Sequence, residues 1–161
     1  GSGARDAQRY PRSAGADVHA HIARLLADGR SALLQPYLDR VDAQGETALI
    51  YINGKFSHAV VKTAVLSRGH APTRALFAPE KIAACQPRPD ELELGARVFK
   101  WLPFDNLLYA RLDLLHDTHG TPCVLELELA EPSLYLSYAT DAAARLARAV
   151  AEHLDRPAKN D

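Results

Sequence analysis

The chain has 161 residues, 47% of them hydrophobic, with 19 basic and 20 acidic side chains and a net charge of −1. This composition is typical of a folded globular protein and excludes disordered and fibrous classes. The balanced charge gives no support for general binding to nucleic acid or to a membrane surface. No apolar stretch approaches the roughly 18 residues of a spanning helix, and no signal peptide opens the chain. We therefore expect a cytoplasmic protein.

Two sequence features bear on processing and redox state. Cys85 and Cys123 form neither a CxxC motif nor a disulfide framework, so we expect reduced thiols. The chain contains no methionine, even at position 1. We therefore expect a fragment, a processed product or a tagged protein whose activity needs further residues.

The first predicted elements are a helix and a short strand. Apolar residues at helical spacing predict a helix over 17–27, which Asp17 caps and Gly29 ends. The apolar segment 31–38 predicts a strand that ends near Pro36, because proline cannot donate to a ladder.

The run from Thr47 to Lys62 predicts a β-hairpin around Asn53-Gly54, a dipeptide whose turn matches the twist of paired strands. The expected pairs are Ile52 with Lys55, Tyr51 with Phe56, and Leu49 with His58. Residues 67–90 hold four prolines and predict a long loop with a short turn at 80–84.

The rest of the chain predicts two helices, a second hairpin and a short strand. The first helix spans 90–101 with an apolar stripe of Leu92, Ala96, Phe99 and Leu102. Strands at 108–115 and 122–129 form the hairpin, and 134–138 forms the short strand. Thr140 caps the last helix, whose apolar face holds Ala143, Leu146, Ala147, Val150 and Leu154. Because the strands come in hairpins, we predict an α+β fold with an antiparallel sheet.

Strand alternation places three carboxylates, Asp113, Glu126 and Glu128, on one face of the second hairpin. If Asp113 pairs with Glu126, Arg111 pairs with Glu128, and a slip of two residues would keep the same face. Oxygen-only ligands suit a hard cation such as Mg²⁺. The alternative is a solvated face of amphipathic strands on which Arg111 neutralises one charge.

Four segments of the chain occur in an order that resembles one enzyme family. The segment 125–136, Leu-Glu-Leu-Glu-Leu-Ala-Glu-Pro-Ser-Leu-Tyr-Leu, and Asp113 before it are similar to a pair of metal-binding strands. Residues 33–38 resemble a strand that passes an adenine ring, 46–62 the hairpin after it, and 1–4 a glycine loop over a triphosphate. The ordered set resembles the ATP-grasp ligases, closest to the bacterial branch that contains the ligase closing the cycloserine ring.

This resemblance implies an enzyme that forms carbon–nitrogen bonds, an ATP-dependent ligase that joins a carboxylate to an amine or related nucleophile through an acyl phosphate. It implies Mg²⁺ binding by Asp113, Glu126 and Glu128, and catalytic roles for Lys62 and Arg111. ATP would be bound by Gln35, Tyr37, Leu38, Glu46, Lys62, Gly1, Ser2 and Gly3. The expected partners are small-molecule carboxylate and amine substrates, with no nucleic acid or membrane, and a homodimer is left open.

Two departures from the family pattern limit what the resemblance implies. Glu128 stands where much of the family has asparagine, which leaves the number of metal ions open. The lysine-bearing strand before the glycine loop is absent, so we expect the carboxy-terminal portion of a larger protein, with 1–40 in the small lobe and 41–161 in the large lobe. The missing amino-terminal part would then be a partner.

Three alternatives remain open or disfavoured. The alternative function is a non-catalytic nucleotide-binding or scaffolding module with the same fold. Residues 1–3 could be a cloning tag. A zinc site at the histidine pairs 19/21 and 116/119 is disfavoured, because neither pair has a further ligand at metal-binding spacing.

Overall fold

The computed structural model describes residues 6–63, 81–104 and 107–155. The described residues divide into two compact units, 6–37 in one and 38–63 with 81–104 and 107–155 in the other. The predicted glycine loop at Gly1, Ser2 and Gly3 lies outside them, as does most of the predicted long loop. The assignment of 1–40 and 41–161 to the two lobes of an ATP-grasp fold remains a prediction.

The first unit contains one helix, α1 (Gly15–Ala27), close to the predicted range. Gly29 ends it as expected, with a φ of +70° and its N–H donating to Leu26 O at 3.0 Å. Asp17 is not the cap, because the helix begins two residues earlier and Asp17 lies in its first turn. The predicted strand at 31–38 is wrong: Pro36 removes a donor, and no second strand within 6–37 offers a ladder.

The second unit is a five-stranded antiparallel sheet with helices, so the predicted α+β class is confirmed. The strand order is β3-β2-β1-β4-β5. The strands are β1 (Glu46–Ile52), β2 (Lys55–Lys62), β3 (Ile82–Cys85), β4 (Tyr109–His116) and β5 (Pro122–Glu128). The helices are α2 (Val41–Gln44), α3 (Pro89–Trp101) and α4 (Ala142–Leu154), with a 3₁₀ turn at Leu136–Tyr138. No helix of the described residues is long and apolar enough to span a membrane.

The first hairpin forms around Asn53-Gly54, where both residues have positive φ as the predicted turn requires. Two predicted pairs, Ile52 with Lys55 and Tyr51 with Phe56, are confirmed. The third is wrong, because His58 pairs with Ile50 and not with Leu49. A bulge leaves Ser57 as the extra residue of β2 and shifts the register beyond it.

Three local predictions are corrected by backbone geometry. The turn expected at 80–84 is instead mostly the edge strand β3. The strand expected at 134–138 is a 3₁₀ turn, because Tyr135 adopts a φ of +48° and turns the chain out of the extended conformation. The last helix follows Asp141 at a φ of +60°, with no side-chain cap from Thr140.

The two faces of the sheet have different cover. Helix α3 covers one face, where Leu94, Val98 and Phe99 pack against a core of Leu49, Tyr51, Ala59, Ala110, Leu112 and Leu114. Of the predicted stripe of α3, Phe99 packs on this core, Leu92 and Leu102 are half-buried, and Ala96 is exposed. The other face packs Ala48, Ile50, Ile52 and Val60 against Ala149 and Leu146 of α4 and against Leu134, Tyr135 and Leu136. Val150 and Leu154, predicted on the inner face of α4, are exposed.

The contact between α3 and the sheet leaves no room for a side chain at Gly95. A Cβ there would lie 2.1 Å from Tyr51 Oη, and the Tyr51 ring is itself held by stacking on Phe99 at 4.0 Å. Gly95→Ala should therefore lower the free energy of unfolding by about 1–3 kcal/mol, although alanine favours a helix. Denaturant unfolding measures this. Gly15→Ala in α1, where nothing lies within 4 Å, is the control and should be neutral or stabilising.

Candidate functional site

The charged residues singled out from the sequence lie on the sheet face that carries Ala48 and Ile50. On this face Glu46 of β1 lies opposite Lys62 of β2, and Asp113 of β4 lies opposite Ala48. Because side chains of alternate residues share a face, the neighbouring row brings His58, Ile50 and Arg111 together. The site is therefore built on three adjacent strands and completed by β5.

The three predicted metal ligands converge. Asp113 pairs with Glu126 and Arg111 with Glu128, which confirms the first of the two registers considered. One carboxylate oxygen from each acid lies within 4.8 Å of the others. Asp113 is buried, Glu128 is half-buried and Glu126 is exposed. A bulge in β5 leaves Leu125 without a partner on β4, between the pairs Asp113–Glu126 and Leu114–Val124. Leu125 is exposed and does not fill the apolar face as expected.

Asp113 is fully buried, and two cations compensate its charge. Arg111 Nε donates to Oδ1 at 2.9 Å and Nη2 to Oδ2 at 2.9 Å, while Lys62 Nζ donates to Oδ2 at 3.0 Å. A buried carboxylate without partners would be strongly destabilising. Arg111 and Lys62 therefore supply the partners that a buried carboxylate needs at this position.

Lys62 is a buried bridge between two carboxylates. It is 6% exposed and contacts Glu46 as well as Asp113. Burial alone would lower the pKa of Lys62, but the two carboxylates outweigh it and raise the pKa. Lys62 is therefore a buried, paired lysine and not a solvated one, and its role toward phosphates remains a prediction.

Two of the carboxyl groups hold protons more readily than ordinary acids. Burial raises the pKa of Glu46 to about 7, which Lys62 opposes and Asp113 reinforces. Burial also raises the pKa of Glu128, where Arg111 opposes the shift and Glu126 adds to it. Burial is therefore the main cause of both shifts, and neighbouring carboxylates add to them.

Arg111 connects the carboxylates to the segment after β5. Its Nη2 donates to Glu128 Oε1 at 2.6 Å, and its Nη1 lies 3.4 Å from Ser133 O. The guanidinium carbon is 5.7 Å from the centre of the Tyr135 ring. Among the described residues, this group of three carboxylates is the only cluster with metal-binding spacing, so neither histidine pair supports zinc.

The residues predicted to contact adenine belong to both units: Gln35 and Tyr37 to the first and Leu38 to the second. Gln35 and Tyr37 line an apolar hollow of the first unit beside Val18 and Ile22 of α1, and the Arg9 guanidinium lies 3.5 Å from the Tyr37 ring centre. Leu38 belongs to the second unit. Nucleotide binding by these residues remains a prediction.

The chain is similar in sequence and in structure to a known protein. The chain is 41% identical over 160 residues to the cycloserine biosynthesis protein DcsG of Streptomyces lavendulae, covering 93% of this chain and 51% of DcsG. The crystal structure of D-cycloserine synthetase DcsG matches 96% of this chain and 53% of that one, with a TM-score of 0.81 and 39% identity. This chain is a close homologue of DcsG.

The resemblance to the ATP-grasp branch that contains the cycloserine-ring ligase is thereby confirmed. A structure of the ATP-grasp ligase PsnB with a minimal precursor is a more distant match, 16% identical over 74% of this chain and 37% of that one at a TM-score of 0.49. No family model matches the chain. The chain spans about half the length of DcsG.

The raised pKa of Glu46 generates a pH prediction. Because the folded state holds this proton more tightly than the unfolded chain, the contribution of Glu46 to stability falls as the pH rises from about 4.5 to about 7. Glu46→Gln cannot titrate. The wild-type free energy of unfolding, taken relative to Glu46→Gln, should therefore fall by about 1–3 kcal/mol between pH 5 and pH 8.

Denaturant unfolding of both proteins at the two pH values measures this difference. Glu93→Gln, on the exposed side of α3, is the control and should show a constant difference from wild type. A constant difference for Glu46→Gln as well would contradict the raised pKa.

Proposed function

We propose that this chain supplies the cation-binding and much of the ATP-binding part of a cytoplasmic ATP-dependent ligase. The ligase would join a carboxylate to an amine or a related nucleophile through an acyl phosphate. The observation that carries the proposal is the convergence of Asp113, Glu126 and Glu128 in a close homologue of DcsG. The partner of this chain would be a part that corresponds to the other half of DcsG.

The donor set fits Mg²⁺. All three donors are carboxylate oxygens, and the exposed Glu126 has no ion pair among the described residues, so it is available to a cation entering from solvent. When bound, Mg²⁺ would neutralise charge on the transferring phosphoryl group and orient the phosphates. Asp113, Glu126 and Glu128 would hold it, and Glu128 in place of asparagine would add one negative charge.

The basic residues would act around that cation. Arg111 is fixed by Asp113 and Glu128, so its guanidinium is positioned to contact an acyl phosphate without reorganisation. Lys62 would contribute a fixed positive charge to the phosphates from its place between Glu46 and Asp113. Gln35, Tyr37 and Leu38 would bind adenine and Glu46 the ribose.

The similarity to DcsG suggests the first reaction to test. A chimera in which this chain replaces the matching half of DcsG should form D-cycloserine with consumption of ATP. A chimera that folds but consumes no ATP at any Mg²⁺ concentration would favour the alternative of a non-catalytic nucleotide-binding module.

In the active chimera, Glu126→Gln should lower Mg²⁺-dependent turnover by about 100-fold or more, because it removes a cation ligand. Its melting temperature should be unchanged or raised, because like charges on paired strands cost roughly 0.2–1 kcal/mol. Turnover across a Mg²⁺ titration and thermal unfolding measure the two effects. Glu93→Gln, an exposed carboxylate on α3, is the matched control and should keep full activity. Loss of stability without loss of turnover would assign Glu126 a structural role instead.

A further inference from the structure

The segment after β5 returns across the sheet in a strained conformation. Glu131 and Tyr135 have φ angles of +56° and +48°, values that side chains other than glycine rarely adopt. Such residues persist only where surrounding contacts hold them. Leu134, Tyr135 and Leu136 pack on the sheet core, but Ser133 and Glu131 are exposed. Apolar packing therefore holds only the later part of the segment.

Two side chains of one sheet row hold consecutive carbonyls of this segment. The row runs from His58 on β2 through Ile50 on β1 to Arg111 on β4. Arg111 Nη1 lies 3.4 Å from Ser133 O, and His58 Nε2 lies 3.0 Å from Leu134 O. The segment thus crosses above Ile50, with a donor on each side.

The His58 ring is fixed from both of its nitrogens. Since a carbonyl can only accept, Nε2 carries the hydrogen that is donated to Leu134 O. Nδ1 then accepts from Ser57 Oγ at 2.9 Å, and Ser57 Oγ accepts from Arg145 Nε at 3.0 Å. His58 is 8% exposed, and its burial lowers its pKa. The lowered pKa favours the neutral ring, in which Nε2 donates and Nδ1 accepts.

We propose that His58 is a positioning residue of the ligase: its bond to Leu134 O fixes the backbone of 133–135 beside Arg111, forming a wall of the carboxylate-substrate site. This proposal rests on the proposed function. Arg111 contacts Ser133 O and the Tyr135 ring, so a displaced segment would remove two of the neighbours of its guanidinium. His58 would act through this backbone and would not touch the substrate.

The geometry also predicts which substrate is affected. His58 and Lys62 lie four residues apart on β2, about 13 Å along the strand. Lys62, which is assigned to the nucleotide phosphates, therefore lies two side-chain rows away from the bond between His58 and Leu134 O. Loss of the bond between His58 and Leu134 O, here called the Leu134 anchor, should weaken binding of the carboxylate substrate far more than binding of Mg-ATP.

The test compares His58→Leu with His58→Gln in the DcsG chimera. Leucine removes the donor, whereas the glutamine amide can replace Nε2. His153→Leu is the matched control, because His153 also bonds a backbone carbonyl, Ala149 O at 3.0 Å, but within α4. Two quantities are measured: amide hydrogen exchange at Tyr138 and Ala139, whose N–H groups close the turn on Tyr135 and Leu136, and KM for each substrate.

For His58→Leu we expect about tenfold faster exchange at these amides and about a tenfold higher KM for the carboxylate substrate, as loss of one backbone-anchoring bond would give. KM for Mg-ATP should stay within about twofold, and His58→Gln should recover most of both losses. Unchanged exchange in His58→Leu would overturn the anchor. Faster exchange with unchanged KM values, or failure of glutamine to rescue, would overturn the positioning role while the proposed function stands. An inactive wild-type chimera would contradict the proposed function and this role together.

Discussion

The burial of Asp113 between Lys62 and Arg111 is the interaction on which the rest of the site depends. A fully buried carboxylate on a central strand would oppose folding, yet here two cations at hydrogen-bond distance satisfy both of its oxygens. The same two cations reach outward to Glu46 and Glu128, so charges alternate along the sheet face. Exposed Glu126 adds a further negative charge beside this network, which leaves a site suited to a cation.

Both faces of the sheet contribute to the packed core, but the charged site lies on only one of them. The face under α3 is mostly apolar, apart from the buried contact between His116 and Glu91, and it is packed so closely that Gly95 admits no side chain. The opposite face mixes an apolar patch around Ile50 with the charged network. Because rows of side chains cross all the strands, the residues that neutralise Asp113 and those that hold the segment after β5 belong to one continuous surface. Arg111 takes part in both tasks.

Local signals predicted well where one residue pair or one periodicity decides the structure. Asn53-Gly54 fixed the first turn, and strand parity brought Asp113 opposite Glu126. Long-range effects were not predictable. The bulge at Ser57 moved His58 onto the row of Arg111. The spacing of residues in the sequence therefore could not predict the contact of His58 with Leu134. Likewise, 31–38 has strand-like composition, but strand formation needs a partner that composition does not reveal.

A double-mutant cycle between Lys62→Met and Asp113→Asn tests the central claim most directly, with the free energy of unfolding of this chain as the measurement. Each single change leaves a buried charge with fewer partners, whereas the double change removes both charges. A coupling energy of about 1–3 kcal/mol is predicted, while Lys55→Met, at an exposed lysine of the same strand, should show none with Asp113→Asn. A coupling below about 0.5 kcal/mol for Lys62 would contradict the account, since Asp113 would then be buried without help from Lys62.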